Sequence, residues 1–290
     1  MMTFDSLERD KPAVLGAGFI VCSLIAQNIG AAFAKHLFLS VGPYGVAVLR
    51  IGLSAILLLA LRRPWRRSIP QGIWPYVVLY GVMLGVMNSA IYQAFARIPL
   101  GVALGIEVSG PVLLGLLGSR RWIDFCWMAL IVFGLILLLP LHVQQALDPL
   151  GVVFAFGAGA CWAFYVLCGK RVAPVLGGDA AAIGMTVAMM VTAPIGLIEA
   201  GSSLMQLNVW AVGLAVAILS SAIPYSLEVK ALRLLPAHVF GMLLSAAPAI
   251  GALAGFVILG ETLTWLQVAA IFCVTFAAAG SALTVRPAGA

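Results

Sequence analysis

Two charged residues lie inside long apolar runs of this sequence, where they could do chemistry. Arg50 falls within residues 43–61, and Glu107 falls within residues 99–118. A charge at the centre of a bilayer costs about 2.5–3.5 kcal/mol on insertion scales, so such residues usually face a cavity or a partner. The guanidinium and the carboxylate could bind the charged ends of a zwitterion, exchange partners as a gate, or form a permanent ion pair. The sequence leaves these alternatives open.

Polar residues with helical spacing form stripes on two other apolar runs. Asn88 and Tyr92 are one turn apart in the third run, and Ser221, Tyr225 and Glu228 follow one another in the eighth. Lipid would leave these donors without partners, so both stripes must face inward. We expect them to line a cavity, with hydrogen bonding between helices as the alternative.

A second polar set pairs amides with aromatic rings. Gln27 and Asn28 lie in the first apolar run, and Trp162 and Tyr165 lie in the sixth. Amides on one side and rings on the other suit an amphipathic metabolite. The alternative for the two rings is ordinary packing.

Glu228 is also two residues from Lys230, near the end of the eighth run. Long charged side chains at such a position can reach the membrane interface. A structural ion pair between the two residues is therefore predicted.

Prolines occupy matching positions in two runs. Pro99 and Pro236 are predicted to begin helices, because a first turn does not need the missing N–H group. Pro111 and Pro248 lie inside the same helices, where they are predicted to form a kink or hinge.

Patterns typical of catalysis or metal binding are weak. The histidines lie near the ends of apolar runs without spaced acidic partners, and the cysteines lack paired spacing. We therefore predict no enzyme, no metal site, no cofactor and no disulfide framework. The residues concerned are His36, His142, His238, Cys22, Cys126, Cys161, Cys168 and Cys273.

The composition requires lipid as the solvent. Of 290 residues, 63% are hydrophobic and only 9% are charged, too few charges to cover a water-soluble surface. The net charge of +6 comes from short basic clusters between apolar runs rather than from one basic face, which argues against nucleic-acid binding.

Ten apolar runs are long enough to cross a bilayer as helices, and they predict an all-α polytopic membrane protein. Very short loops separate them. They lie near 13–34, 43–61, 73–96, 99–118, 123–141, 150–169, 178–199, 209–229, 237–259 and 263–284.

The basic residues predict an orientation. Thirteen lysines and arginines fall on the side of the N-terminus, whereas only Lys35 and Arg97 fall between spans on the other side. Because basic loops stay in the cytoplasm, both termini are predicted to be cytoplasmic.

The two halves of the sequence resemble each other. Four landmarks recur after 137 positions and three others after 135, which predicts two five-helix repeats, at 13–141 and 150–285, after a cytoplasmic segment at 1–12. The pairs are Pro99 with Pro236, Pro111 with Pro248, Gly118 with Gly255, Asp124 with Glu261, Gly16 with Gly151, Phe19 with Phe154, and Lys35 with Lys170.

A repeat with an odd number of helices must be inverted in its second copy. Inverted repeats around a central cavity are the usual plan of secondary transporters, which expose a midplane site to each side in turn. Duplication merely to build a stable bundle is the alternative. A single chain supplies both halves, so a monomer is expected.

Several sequence strings resemble the drug/metabolite transporter superfamily, EamA type, and within it the bacterial threonine/homoserine-type amino-acid exporters. These are GPVLLGLLGSRRWIDFCW at 110–127, AGACWAFYVLCGKR at 158–171, GLAVAILSSAIPYSLEVKALRLLP at 213–236 and LGETLT at 259–264. The resemblance implies export of amino acids through the bacterial inner membrane. It also implies a central cavity with the fifth and tenth helices at its periphery.

The resemblance carries over two residues. Glu107 falls where those exporters have a glutamate, and Arg50 falls where an arginine is usual. The alternatives are a transporter of another small metabolite, such as a purine or nucleotide sugar, or a lipid flippase. A strongly anionic cargo would call for more basic residues in the cavity than Arg50 alone.

Overall fold

The computed structural model describes the backbone of residues 4–66, 68–98, 100–118, 121–138, 148–259 and 264–283. Within these ranges the chain forms helices and turns, and no strand. The helices are α1 Phe4–Arg62, α2 Trp74–Phe95, α3 Leu100–Glu107, α4 Ser109–Gly118, α5 Trp122–Leu138, α6 Pro149–Leu176, α7 Asp179–Ala200, α8 Leu207–Ala217, a π-helical turn Ile218–Ala222, α9 Ile223–Leu234, α10 Ala237–Leu244, α11 Ala247–Leu259 and α12 Trp265–Leu283.

Seven helical segments in the described ranges are long and apolar enough to cross a membrane. Three shorter apolar helices, Ala103–Gly115, Trp122–Leu137 and Val268–Ala277, fall within the remaining predicted spans. The all-helical prediction is confirmed, whereas the ten-span, two-repeat plan stays a prediction.

The first two predicted spans are two helices that meet at a sharp kink within α1. Helix α1 begins at Phe4, earlier than predicted, and bends at Gly42, whose φ of 71° is left-handed. A carboxylate oxygen of Glu199 in α7 accepts hydrogen bonds from the backbone N–H groups of Tyr44 (2.6 Å) and Gly45 (3.2 Å). It thereby caps the second part of α1. Gly177, 135 positions after Gly42, has a φ of 55° between α6 and α7.

Two predicted membrane helices are each broken three residues before a proline. The α-helix breaks at Val108 between α3 and α4, ahead of Pro111, and at Ser245 between α10 and α11, ahead of Pro248. Proline has no N–H for the carbonyl four residues earlier, and its ring crowds that carbonyl. The breaks are 137 positions apart, as the prolines are.

The halves of the chain pack directly against each other. Helix α1 packs on α7, α2 on α6, α4 on α10, and α5 on α12. Glycines permit the closest of these approaches: an added Cβ at Gly110 would lie 1.8 Å from the carbonyl oxygen of Gly159. The contact between α4 and α6 is therefore made backbone to backbone.

The outer surface of the bundle is apolar. Large hydrophobic side chains are exposed along every long helix, and Leu207, Ile198 and Trp265 are more than four-fifths exposed. Most buried polar side chains, by contrast, lie between helices. This inside-out distribution fits a surface solvated by lipid.

Candidate functional site

Arg50 is buried between helices without full hydrogen bonding. The residue is 5% exposed, and its guanidinium carbon lies 5.1 Å from the centroid of the Tyr92 ring. This distance allows a cation–π interaction. Its Nε atom is buried and has no hydrogen-bond partner in the described part of the chain. A buried donor without an acceptor is costly, so this group is available to a ligand.

Glu107 is also buried, at the last residue of α3 beside the break at Val108. Arg50 lies close enough to act on its carboxylate electrostatically. No nitrogen of Arg50 lies within 4.0 Å of a Glu107 oxygen, although the structure describes both side chains. The permanent ion pair considered from the sequence is therefore not formed, because similar depth in two helices does not fix the direction of the side chains.

Asn88 and Tyr225 connect α2 and α9 at corresponding positions of the two halves. The side-chain amide of Asn88 donates to the Tyr225 hydroxyl (3.1 Å) and to the Leu84 carbonyl (2.7 Å). The two residues are 137 positions apart, the offset that relates the prolines. The two stripes predicted from the sequence therefore meet.

Glu228 belongs to a buried hydrogen-bonded cluster rather than to an interfacial ion pair. Its carboxylate is 1% exposed and accepts from the hydroxyls of Ser23 (3.0 Å) and Tyr165 (2.9 Å). Tyr80 donates to the Tyr165 hydroxyl (3.3 Å), and the two rings stack with centroids 4.7 Å apart.

The predicted pair of Glu228 with Lys230 is wrong. Lys230 is exposed, and its amine lies 5.4 Å from the centroid of the Phe19 ring. Residues two apart on a helix point to nearly opposite sides, so the two cannot meet.

The amide and aromatic set divides between partly exposed and buried positions. Gln27 and Asn28 are half-buried, and the Asn28 amide donates to the Leu24 carbonyl of its own helix (2.8 Å). Trp162 and Tyr165 are both buried in α6, and the Tyr165 ring meets Tyr225 edge to face at 5.9 Å.

Ser221 lies in the π-helical turn between α8 and α9. The hydroxyls of Ser220 and Ser221 are buried without a partner in the described part of the chain. Across from this turn, Ser54 of α1 donates to the Ala217 carbonyl (2.8 Å). Single π-helical turns inside α-helices occur frequently at functional sites.

The structure contains a groove of about 330 Å³ near the end of α1, and no predicted site residue lines it. Pro111 and Pro248 lie beside the two helix breaks. The predicted central cavity, and the roles of the predicted residues in it, stay predictions. The groove residues are Pro64, Trp65, Ile69, Trp74 and Ile183.

Sequence reasoning missed two members of the buried cluster, Ser23 and Tyr80. Tyr80 extends the stripe of Asn88 and Tyr92 by two turns at a spacing of four residues, so helical periodicity could have found it. Ser23 stands alone in an apolar turn, and no sequence signal marks it.

An all-helical bundle with an apolar exterior and buried polar groups is the architecture of an integral membrane protein. The sequence profile of the EamA-like transporter family matches residues 149–283. Together with the relatives described next, this match shows that the chain belongs to the EamA-like transporter family and is not an enzyme.

The relatives cover almost the whole chain. The threonine/homoserine exporter RhtA of Escherichia coli (strain K12) is 42% identical over 279 residues, which are 96% of this chain and 95% of that protein. RhtA of Salmonella typhimurium (strain LT2) is 40% identical over the same shares. A solved crystal structure at 19% identity superposes with a TM-score of 0.75 over 97% of this chain and 100% of its own, which shows a shared fold.

Proposed function

We propose that this protein exports amino acids, threonine and homoserine or a set that includes them, across the bacterial inner membrane. The observation that carries the proposal is the 42% identity to an E. coli threonine/homoserine exporter over 96% of the chain. The relative is matched along both halves of the chain, over 95% of its own length.

Transport is proposed to proceed by alternating access of two inverted five-helix repeats. Three observations support this plan: the paired packing of helices between halves, the matching breaks before Pro111 and Pro248, and the left-handed glycines Gly42 and Gly177. The prolines are proposed to act as hinges, since a helix already lacking hydrogen bonds bends at low cost.

Arg50 is proposed to bind the substrate carboxylate. Its guanidinium is buried and forms no ion pair with the described Glu107 side chain, and its Nε atom has no partner within the described ranges. Glu107 is proposed to bind the substrate ammonium group from the other side of the pathway. The remaining residues proposed to line the pathway are Gln27, Asn28, Asn88, Tyr92, Trp162, Tyr165, Ser221 and Tyr225.

The test is efflux from bacterial cells that express the protein and are preloaded with labelled threonine or homoserine. Arg50→Ala should reduce the initial efflux rate at a limiting internal substrate concentration by about 30-fold or more. The substitution removes one partner of the proposed buried pair between Arg50 and the substrate carboxylate, and such a truncation costs about 2–5 kcal/mol. Arg50→Lys keeps the charge but loses the bidentate geometry. Its efflux rate should lie between those of the wild type and Arg50→Ala.

Arg233→Ala is the matched control, because Arg233 is exposed at the end of α9 and lies outside the proposed pathway. It should export threonine at the wild-type rate. Equal efflux from cells with and without the wild-type protein would refute amino-acid export. Wild-type efflux by Arg50→Ala would refute the assignment of Arg50.

A further inference from the structure

A buried cluster is formed by Ser23, Tyr80, Tyr165 and Glu228. Of these four residues, only Tyr165 belongs to the substrate pathway proposed above. All four residues are at most 1% exposed. Burying a carboxylate is costly unless its oxygens are satisfied, and here two hydroxyls from two different helices satisfy them. The carboxylate is therefore held in place by groups on α1 and α6.

Two of the three hydrogen bonds described for the cluster run between the two halves of the chain. Ser23 in the first half donates to Glu228 in the second, and Tyr80 in the first half donates to Tyr165 in the second. The bond from Tyr165 to Glu228 lies within the second half. The second half thus provides two acceptors, the Tyr165 hydroxyl and the Glu228 carboxylate. The first half provides one donor to each of them.

The cluster lies toward one end of the bundle. Tyr80 is six residues from the start of α2, and Glu228 is six residues from the end of α9, which places both about 9 Å inside that end. The basic residues there predict a cytoplasmic location.

Lys170 joins α6 to the end of α9 within the second half. Its amine donates to the carbonyls of Leu232 (2.7 Å) and Leu235 (2.5 Å) at the end of α9. The aromatic rings of Tyr80 and Tyr165 fill the space below it, and Gly169 and Gly184 allow the Tyr80 ring to touch α6 and α7 directly. At this end, Tyr80 of the first half thus packs directly on two helices of the second half.

We propose that Ser23, Tyr80, Tyr165 and Glu228 form a hydrogen-bonded closure that holds the two halves together at the cytoplasmic end. This inference rests on the proposed alternating access. Opening this end breaks the bonds from Ser23 to Glu228 and from Tyr80 to Tyr165, while Tyr165 and Glu228 stay together and move with the second half.

The closure can be tested by a distance measurement that needs no substrate. Spin labels on Gln71→Cys and Arg233→Cys, in a protein whose five native cysteines are replaced, report on one exposed site in each half at this end. The double variant Ser23→Ala, Tyr80→Phe removes both donors from the first half and keeps the aromatic stack. In lipid nanodiscs it should raise the ratio of long to short distances about five- to tenfold.

A matched control changes the same residue types on two of the closure's helices. Tyr76→Phe lies one turn before Tyr80, and the Ser226 hydroxyl removed by Ser226→Ala donates within its own helix to the Ala222 carbonyl (2.6 Å). The control pair should keep the wild-type distance distribution. If the double variant does not fold, Tyr80→Phe alone is measured.

An unchanged distribution in the closure variant, or an equal shift in the control pair, would overturn the proposal. Because the labels are read without substrate, this failure differs from a failure of the proposed function, which would appear as absent threonine efflux from wild-type cells.

Discussion

At the scale of single residues, the buried polar groups fall into a paired and an unpaired set. Hydrogen bonds between helices join Asn88 to Tyr225 and Tyr165 to Glu228. Polar groups inside a membrane protein need such partners. Arg50 Nε and the hydroxyls of Ser220 and Ser221 have no hydrogen-bond partner among the residues that the structure describes. An unpaired buried polar group needs an explanation such as a ligand, so within the proposed pathway the unpaired groups are the first candidates for contact with substrate, and the paired groups fix the helices around it.

The bond between Asn88 and Tyr225 should couple the two residues energetically. In a double-mutant cycle of Asn88→Ala and Tyr225→Phe, the coupling energy should be about 0.6 kcal/mol and below about 1.7 kcal/mol, the range of hydrogen bonds between membrane helices. Reversible unfolding in mixed micelles measures it. Strictly additive effects of the two substitutions would show that the bond does not contribute to stability.

Single residues were also where sequence reasoning failed. The pairing of Glu228 with Lys230 rested on closeness along the chain, whereas helix geometry separates residues two apart. The ion pair of Arg50 with Glu107 was one of three alternatives left open, because similar depth says nothing about rotation about the helix axis. The stripes of Asn88 and Tyr225 were found because a spacing of four residues marks one helix face directly.

At the scale of elements, glycine and proline decide how helices approach and where they end. The prolines predicted the two helix breaks from the sequence, because the missing N–H is a local property. Which glycines of α6 approach α3 and α4 closely could not be predicted in the same way. Gly157 and Gly159 look alike in the sequence, yet a Cβ would have open space at Gly157 and would lie 2.5 Å from the Glu107 carbonyl oxygen at Gly159.

This contrast gives a matched test within one helix. Gly159→Ala should lower the free energy of unfolding by about 1–3 kcal/mol, because the obstructing atom is backbone and cannot rotate away. Gly157→Ala should be neutral or slightly stabilising, since alanine is the better helix former. Thermal unfolding in detergent measures both. Equal thermal unfolding midpoints for the two variants would contradict the backbone contact of Gly159 with Glu107.

At the scale of the whole molecule, composition alone predicted a helical membrane protein, because charges on only 9% of residues cannot cover a soluble surface. The family resemblance was confirmed by relatives that match 96% of the chain. Internal offsets of 135 and 137 positions predicted the repeat, but an offset cannot say which faces of the helices meet. That requires the packing itself.

The basic residues make a prediction about orientation. A C-terminal green fluorescent protein should be fluorescent in bacterial cells, whereas a C-terminal alkaline phosphatase should be inactive, because positive loops keep both termini in the cytoplasm. A phosphatase fused after Arg97 should be active instead. An active phosphatase at the C-terminus would contradict the predicted orientation and an even number of spans with a cytoplasmic start.

The most direct test of amino-acid export through a pathway that contains Arg50 is counterflow in proteoliposomes. Vesicles that hold purified protein and are preloaded with unlabelled threonine are placed in a trace of labelled threonine, homoserine, a purine or a nucleotide sugar. We predict rapid accumulation of labelled threonine and homoserine, little accumulation of the other two, and loss of accumulation in Arg50→Ala. Accumulation of the purine or nucleotide sugar without that of any amino acid would contradict the account.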